Sequence, residues 1–494
     1  MYALAIDAGS SSVRAALYDR QGTLVPSSLA QLDVELTAGV GGVVEIDAAT
    51  LRRAVEQVID ETLRHPAAAD IGAVGMTTFW HSLVVLDRSS EALTPVLSWA
   101  DTRSEPESLW LRDRLDGHAI HQRTGCILHP SYLPAKILWL HRDDPSLHAR
   151  AGAYVSFAQY CTSVWLGTTA TSVSMASGSG LFNHETCAWD DELTSALGVT
   201  PDALGEFLPD PELLPPVTSR YAQRWPALAG VRWRAPVGDG AASNVGSGCV
   251  DADLLALMVG TSGALRRCAA EGAKLRPVPD GLWRYRLDRR YAVTGGALSD
   301  GGSVYEWLRE TLRLPDEDAL ERELAAREPG QHGLIVLPFW SGERSLGWVG
   351  DATALLAGLK HHTTALDIFQ AALEAVTYRF AALYDALQSG GETIVASGGG
   401  LRESPAWLQM MADAFGQPLV MATATEASLR GAALIALRDN GVIAELPRVT
   451  GGRSFEPRRD RHERHQVARR QQQTLYEREV GPRGANLLAR QTRG

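Results

Sequence analysis

The amino-acid sequence predicts an α/β protein in which one strand–turn–strand plan is used twice, once in each half of the chain. Leu4-Ala5-Ile6-Asp7-Ala8 reads as a buried strand, Gly9-Ser10-Ser11-Ser12 as a tight turn, and Val13, Ala15 and Leu17 as one face of a returning strand. The same order returns at Leu255-Ala256-Leu257-Met258-Val259, Gly260-Thr261-Ser262-Gly263 and Ala264-Leu265-Arg266. A third glycine cluster, Gly398-Gly399-Gly400, lies between the strand-like Ile394-Val395-Ala396-Ser397 and a helical run over residues 406–415. One glycine turn alone fits an ordinary polar hairpin equally well. Three in this order point to a duplicated phosphate-binding architecture.

The turns have a chemical reading. Gly9 lets the backbone come close to a ligand. A turn of this kind aims several N–H groups and the hydroxyls of Ser10, Ser11 and Ser12 at one spot, which suits an anionic phosphate. Asp7 enters the turn from a strand end, where its carboxylate can hold a hydrated Mg²⁺ beside that phosphate.

The other elements follow in order. Strands are expected at residues 3–7, 13–19, 71–76 and 82–87, with an amphipathic helix over 48–64. Residues 134–142 carry Ile137, Leu138 and Leu140 at helical spacing. Prolines at 209–216 and Pro226 mark a loop-rich passage. The second half opens where Pro236-Val237-Gly238 gives way to Asp239 and small residues. That aspartate either caps a helix or faces a cleft. Ala365–Leu387 is a long helix with Phe369, Leu373, Val376 and Phe380 on one face. From Arg453 the chain is arginine-rich with interspersed acids, which reads as a solvated helix through Tyr476 rather than a nucleic-acid surface. Residues 481–494 read as a loose tail.

Composition narrows the class. With 47 Lys and Arg against 58 Asp and Glu the net charge is −11, which argues against a nucleic-acid partner. A 494-residue chain that is 45% hydrophobic has enough apolar material for two large cores. Cys126, Cys161, Cys187, Cys249 and Cys268 are scattered and never form Cys-x-x-Cys, which suits reduced thiols in a cytoplasmic protein and gives no metal-ligand pattern. The chain starts directly with a strand, and no apolar run is long enough to span a bilayer, so neither a signal peptide nor a membrane partner is expected. Lysine is confined to Lys136, Lys274 and Lys360, a compositional bias.

Further stretches carry chemistry-bearing residues: Trp99-Ala100-Asp101-Thr102-Arg103, Ala176-Ser177-Gly178-Ser179-Gly180-Leu181-Phe182-Asn183, Gly238-Asp239-Gly240-Ala241-Ala242-Ser243-Asn244, Pro338-Phe339-Trp340-Ser341-Gly342-Glu343-Arg344 and Trp407-Leu408-Gln409-Met410-Met411-Ala412-Asp413. On these and the glycine turns, over residues 2–479, the chain resembles the FGGY carbohydrate kinases of the actin, Hsp70 and sugar-kinase superfamily. Within that family it looks most like the gluconate kinases. The carrying residues are His81-Ser82-Leu83, Arg123-Thr124-Gly125 with His129-Pro130, Gly295-Gly296 with Gly301-Gly302, and His361-His362-Thr363.

The resemblance implies a duplicated, two-domain actin-like (ribonuclease H-like) ATPase fold with a cleft between domains. Residues 1–247 would hold the sugar and the first phosphate turn, and 248–480 the ATP. It implies that Asp239 is the general base and that Asp7 and Asp239 attend Mg²⁺. ATP phosphates would lie between Gly9, Ser10, Ser11, Ser12 and Gly260-Thr261. Arg14 would add charge there or face solvent. Gly302 falls on the nucleotide side, and Gly399, Gly400 and Ser404 border adenosine. On the acceptor side the resemblance points to Trp80, His81, Asp101, Arg103, His129, Ser131, Asp239 and Gly240. Read without it, the tryptophans suit a core, Asp101 with Arg103 a structural pair, and His129 a structural loop residue. The chain departs from gluconate kinases at Ser172, commonly an acid, and at Trp80, commonly methionine. Phe157-Ala158-Gln159-Tyr160 also lacks their lysine and glutamate before the tyrosine.

The expected activity is phosphoryl transfer from Mg-ATP to a sugar or sugar acid, gluconate to 6-phosphogluconate first, with His81, His129 and Arg103 as donors to the carboxylate. A ketose or polyol kinase, such as one acting on xylulose, is the runner-up. A non-catalytic sugar sensor would not need Asp7, Asp239 and both turns intact. A chaperone-type ATPase would not need His81 or the stretch from Trp99 to Arg103. The expected partner is a small sugar or sugar acid, without nucleic acid or membrane, and a homodimer is compatible with the sequence.

Overall fold

The computed structural model describes residues 1–481 apart from 271, 273–275 and 449–450. The expected loose tail beyond residue 481 lies outside the described residues. Each half is organised on one mixed sheet. In the first half, β1 (Tyr2–Ala8) and β2 (Ser12–Tyr18) form the antiparallel hairpin read from the sequence, with Ala8 opposite Val13. β3 (Ala30–Asp33) pairs antiparallel with β2, while β4 (Ile71–Thr78) and β5 (Trp233–Gly238) extend the sheet in parallel on the other side of β1.

The second half repeats the plan. β6 (Leu254–Val259) and β7 (Gly263–Ala270) form a hairpin with Val259 opposite Gly263. β8 (Trp283–Arg286) is an edge strand on β9 (Tyr291–Leu298), and β9 pairs antiparallel with β7. β10 (Thr393–Ser397) runs parallel to β6, and β11 (Leu419–Met421) parallel to β10. The first sheet runs β5-β4-β1-β2-β3 and the second β11-β10-β6-β7-β9 with β8 added at its edge, so each has a hairpin with an antiparallel strand on one side and two parallel strands on the other. This is the duplicated ribonuclease H-like arrangement.

The helices form where local chemistry starts them. α1 (Ala48–Thr62) begins where the Asp47 carboxylate accepts the Thr50 N–H at 2.7 Å. α2 (Leu133–Asp143) has Pro134 in its first turn, where no backbone donor is needed. α3 (Asp239–Gly246) follows β5 directly, and α4 (Gly302–Thr311) follows β9. α5 (Ala365–Leu387) carries a Thr364–Asp367 capping box and buries Phe369, Leu373, Val376 and Phe380. α6 (Pro405–Phe415) stops at Gly416, whose φ is +66°. α7 (Ala427–Asp439) and α8 (Arg459–Glu479) complete the set. α8 buries only His465, Gln472 and Leu475, and acids occupy neighbouring arginines: Arg461 reaches Glu328 at 3.3 Å and Arg458 pairs with Asp413. The strand expected over 82–87 shortens to Val84–Leu86, because His81 takes a φ of +64° and turns the chain before it.

Each sheet has its own core, with Leu4, Ile6, Val55, Trp165 and Trp233 in the first and Leu257, Leu265, Phe369 and Leu408 in the second. The halves meet through α3 and α7. Ala432, Ala433 and Ala436 of α7 lie on Ala3, Ala5, Ala16 and Ala73 of the first sheet. A Cβ on Gly75 would stand 2.1 Å from the Ala432 oxygen, one on Gly431 1.8 Å from the Ala242 oxygen, and one on Gly246 1.8 Å from the Ala427 oxygen. Only glycine permits that approach.

Candidate active site

Both hairpin turns and the start of α3 face one cavity of about 160 Å³. Ser10 comes from the first turn, Ser262 and Gly263 from the second, and Asp239 and Gly240 from α3, while Trp80, His81, Trp283, Tyr285, Arg266 and Arg344 are among the other lining residues. A larger cavity of about 690 Å³ shares Trp99 and Arg344 with it and is also lined by His129 and Ser131.

The turns are set by glycine. The Gly9 N–H donates to the Ser12 carbonyl at 3.0 Å, and a Cβ on Gly9 would stand 2.8 Å from that oxygen. Ser11 is exposed at the tip, and Ser12 is buried at the start of β2. In the second turn Gly260 N–H donates to the Ser262 carbonyl at 2.9 Å. α4 is stapled to this turn: Gly301 and Ser303 donate to the Thr261 oxygen, and Gly302 donates to the Gly260 oxygen. A Cβ on Gly302 would lie 2.8 Å from the Gly260 oxygen, and one on Gly400 3.5 Å from Gly302 Cα. Gly260, Gly302 and Gly400 thus converge, with open space above Gly399. Ser404, expected beside adenosine, is wholly buried, its hydroxyl donating to Glu321 and accepting the Trp407 N–H, so its side chain caps α6.

A charged cluster lies under the first turn. Arg14 pairs with Asp7 at 3.7 Å and with Glu426, so it turns inward rather than to solvent. Burial raises Asp7 to about 7; Arg14 opposes the rise, and Asp239 and Glu426 add to it. Burial also raises Asp239, against the pull of Arg266 and of the Gly240 N–H that donates to its Oδ1 at 2.7 Å. Among the described residues no three His, Cys, Asp or Glu side chains gather as a metal cage. One or two carboxylates beside phosphates and water are the usual way Mg²⁺ is held, and Asp7 with Asp239 matches that donor set.

On the acceptor side, the Trp80 ring lies where Cβ atoms on Gly178, Gly238 and Gly240 would stand, and its Nε1–H donates to the Ser174 oxygen at 2.9 Å. His81 is buried, and burial pushes it down to about 3. It is a neutral imidazole with Nδ1 on the Gly178 oxygen and Nε2 3.4 Å from the Tyr285 hydroxyl. His129 is likewise held well below its ordinary value by burial, and its Nδ1 accepts the Ser131 N–H at 3.2 Å.

Asp101 and Arg103, expected as sugar contacts, are not among the residues lining these two cavities. Arg103 pairs with Asp101 at 2.7 Å and with Glu45, and it covers the Trp139 ring. Asp101 also accepts the Val44 N–H at 3.0 Å. Ser172 lies outside both cavities as well, capping a short helix (Val173–Ser177) whose first N–H is taken by Glu212 at 2.7 Å. Sequence reasoning missed Arg266, Arg344, Trp283, Tyr285 and Lys136. Arg266 was visible as a charge within an apolar strand, Arg344 as the end of a quoted stretch, and Lys136 as one of three lysines.

Comparison with known proteins agrees with this geometry. Residues 2–246 match the N-terminal domain, and residues 255–439 the C-terminal domain, of the FGGY family of carbohydrate kinases. A gluconokinase of Bacillus subtilis is 27% identical over 466 residues, covering 91% of this chain and 90% of its own. A glycerol kinase of Delftia acidovorans is 29% identical over 492 residues, covering 93% and 96%. A ligand-bound xylulose kinase of Lactobacillus acidophilus has the same fold, with a TM-score of 0.88 at 24% identity over 96% of this chain and 98% of that one. With both domains matched in order and the two phosphate-type turns facing a shared cavity, the chain belongs to the FGGY family of carbohydrate kinases, ATP-dependent enzymes with a duplicated actin-like fold.

Proposed function

We propose that this kinase phosphorylates gluconate to 6-phosphogluconate, with Mg-ATP as donor and Asp239 as general base. The observation that carries the sugar-acid reading is the pair of guanidiniums, Arg266 and Arg344, on a cavity whose only lining carboxylate is Asp239. These guanidiniums are the cations on offer to an acceptor charge, since burial holds His81 and His129 neutral and Arg103 pairs with Asp101 and Glu45. Trp80, Trp283 and Tyr285 offer ring faces to the C–H side of a sugar, and His81 offers a hydrogen-bonding nitrogen to a hydroxyl.

Phosphoryl transfer asks the protein mainly for positioning and charge neutralisation. Asp239, with its proton affinity raised by burial, takes the proton from the attacking hydroxyl as the new O–P bond forms and the γ-phosphorus parts from the bridging oxygen, releasing ADP. The turns Gly9–Ser12 and Gly260–Thr261 direct backbone donors at the phosphates. Gly302, Gly399 and Gly400 leave backbone room for the nucleoside. Asp7 and Asp239 would hold Mg²⁺, which offsets charge on the phosphate oxygens. No helix among the described residues is long and apolar enough to cross a membrane.

A coupled ADP-release screen over aldonates, ketoses and polyols tests the reading. Gluconate should give the highest kcat/KM. A clear preference for xylulose, glycerol or another neutral acceptor would overturn it in favour of a ketose or polyol kinase.

A further inference from the structure

Arg344 is singular among the cations of the cleft. Its side chain makes no hydrogen bond or ion pair with any described residue, and its guanidinium lies 4.8 Å from the Trp99 ring. The backbone around it is nonetheless pinned. Ser345 N–H donates to the Ala297 oxygen at 3.0 Å while Ser345 Oγ accepts the Ala297 N–H at 2.9 Å. Trp348 N–H donates to the Arg344 oxygen at 2.8 Å, and Glu343 pairs with Arg379. A fixed backbone that carries an unpaired guanidinium into a cavity is an anion receptor in form. Stacking over Trp99 leaves the in-plane N–H edge free to form a fork with a carboxylate.

Arg266 has a different post. Its Nε and Cζ would stand 3.2 and 3.3 Å from a Cβ on Gly240, so it covers the start of α3 beside Asp239, the reacting end of the cavity. Arg344 lines both the inner cavity and the outer one, and its charge also reaches Asp239 and Arg266.

On the gluconate reading, we propose that Arg344 receives the carboxylate of the acceptor and is the residue that makes the enzyme select a sugar acid over its neutral counterpart. Arg344 comes from the second half and Trp99 from the first, so a bound carboxylate ties together the two walls of the cleft.

The test compares gluconate with glucitol, the same carbon chain carrying a hydroxymethyl group in place of the carboxylate, read as a substrate or as a competitive inhibitor. Arg344→Gln should lower kcat/KM for gluconate by about ten- to a hundredfold while changing the glucitol constant by no more than about twofold. Arg344→Lys should fall between, because it keeps the charge and loses the fork. Equal losses on both ligands, or no loss on gluconate, would overturn the assignment while leaving a gluconate-preferring wild type intact. A wild type that prefers neutral sugars would reject the gluconate reading and this inference with it.

Discussion

Replacing Lys136 by methionine is the sharpest test of how the acceptor site is held. Lys136 is wholly buried, and its ammonium donates to the carbonyls of His81 at 2.8 Å, Ser98 at 2.5 Å and Ser131 at 2.9 Å. Three donors meet three acceptors, one from each of three loops beside the acceptor cavities. Burial draws the group down to about 7, and nearby Asp101 opposes that shift. Methionine keeps the length and removes every donor. Each buried carbonyl left without a partner costs about 1–3 kcal/mol. Release from burying an ammonium returns part of this, so the net loss is about 3–4 kcal/mol. Thermal unfolding should move down by roughly 3–8 °C. The acceptor KM should rise as the loops lose their shared anchor, with the ATP KM unchanged. A midpoint within about 2 °C of wild type would refute the reasoning.

Three further outcomes are expected. Asp239→Asn should still bind ATP but lose turnover by about 10²–10⁴-fold, and near-normal turnover would remove Asp239 as the base. Asp7→Ala should shift the Mg²⁺ titration of activity to higher concentration. In the wild type the requirement should also rise as pH falls below about 7, where a proton competes for the Asp7 carboxylate; an Mg²⁺ titration identical in wild type and variant would leave Asp7 a structural role. Burial holds His184 at about 3 against an ordinary 6.5. Below 6.5 the unfolded chain takes up a proton that the native state refuses, so stability is lost as pH falls toward 3, by up to about 1.4 kcal/mol per pH unit. His184→Gln should flatten the acid limb of a denaturation-versus-pH curve by one proton, and an unchanged slope would count against this.

The hairpins and α5 were legible because their information is local. Alternation with a bounding glycine marks Asp7–Val13, and a capping box with apolar residues at helical spacing marks Ala365–Leu387. Asp239 was legible as a carboxylate at the end of an apolar strand, although cap and base could not be told apart there. The cations of the cleft were not legible, since which way an arginine points is set by partners far away in sequence. Arg103 sits within the stretch that begins at Trp99, yet Glu45 and Asp101 capture it, while Arg344 crosses to that stretch from the other half. Ser404 shows the same limit: a serine beside a glycine turn can serve a ligand or cap the next helix, and Glu321 decides for the cap.

The glycine and alanine seam between α3, α7 and the first sheet has a consequence for how the molecule can be divided. The sequence repeats, but the repeats are not modules. A fragment ending at residue 247 would leave the alanine face of β1, β2 and β4 wet, and one beginning at 248 would carry α7 with no sheet to lie on. Each half lends the other a part of its interior, so expressing either alone should yield an aggregation-prone product, and mixing the two fragments should restore what neither holds by itself.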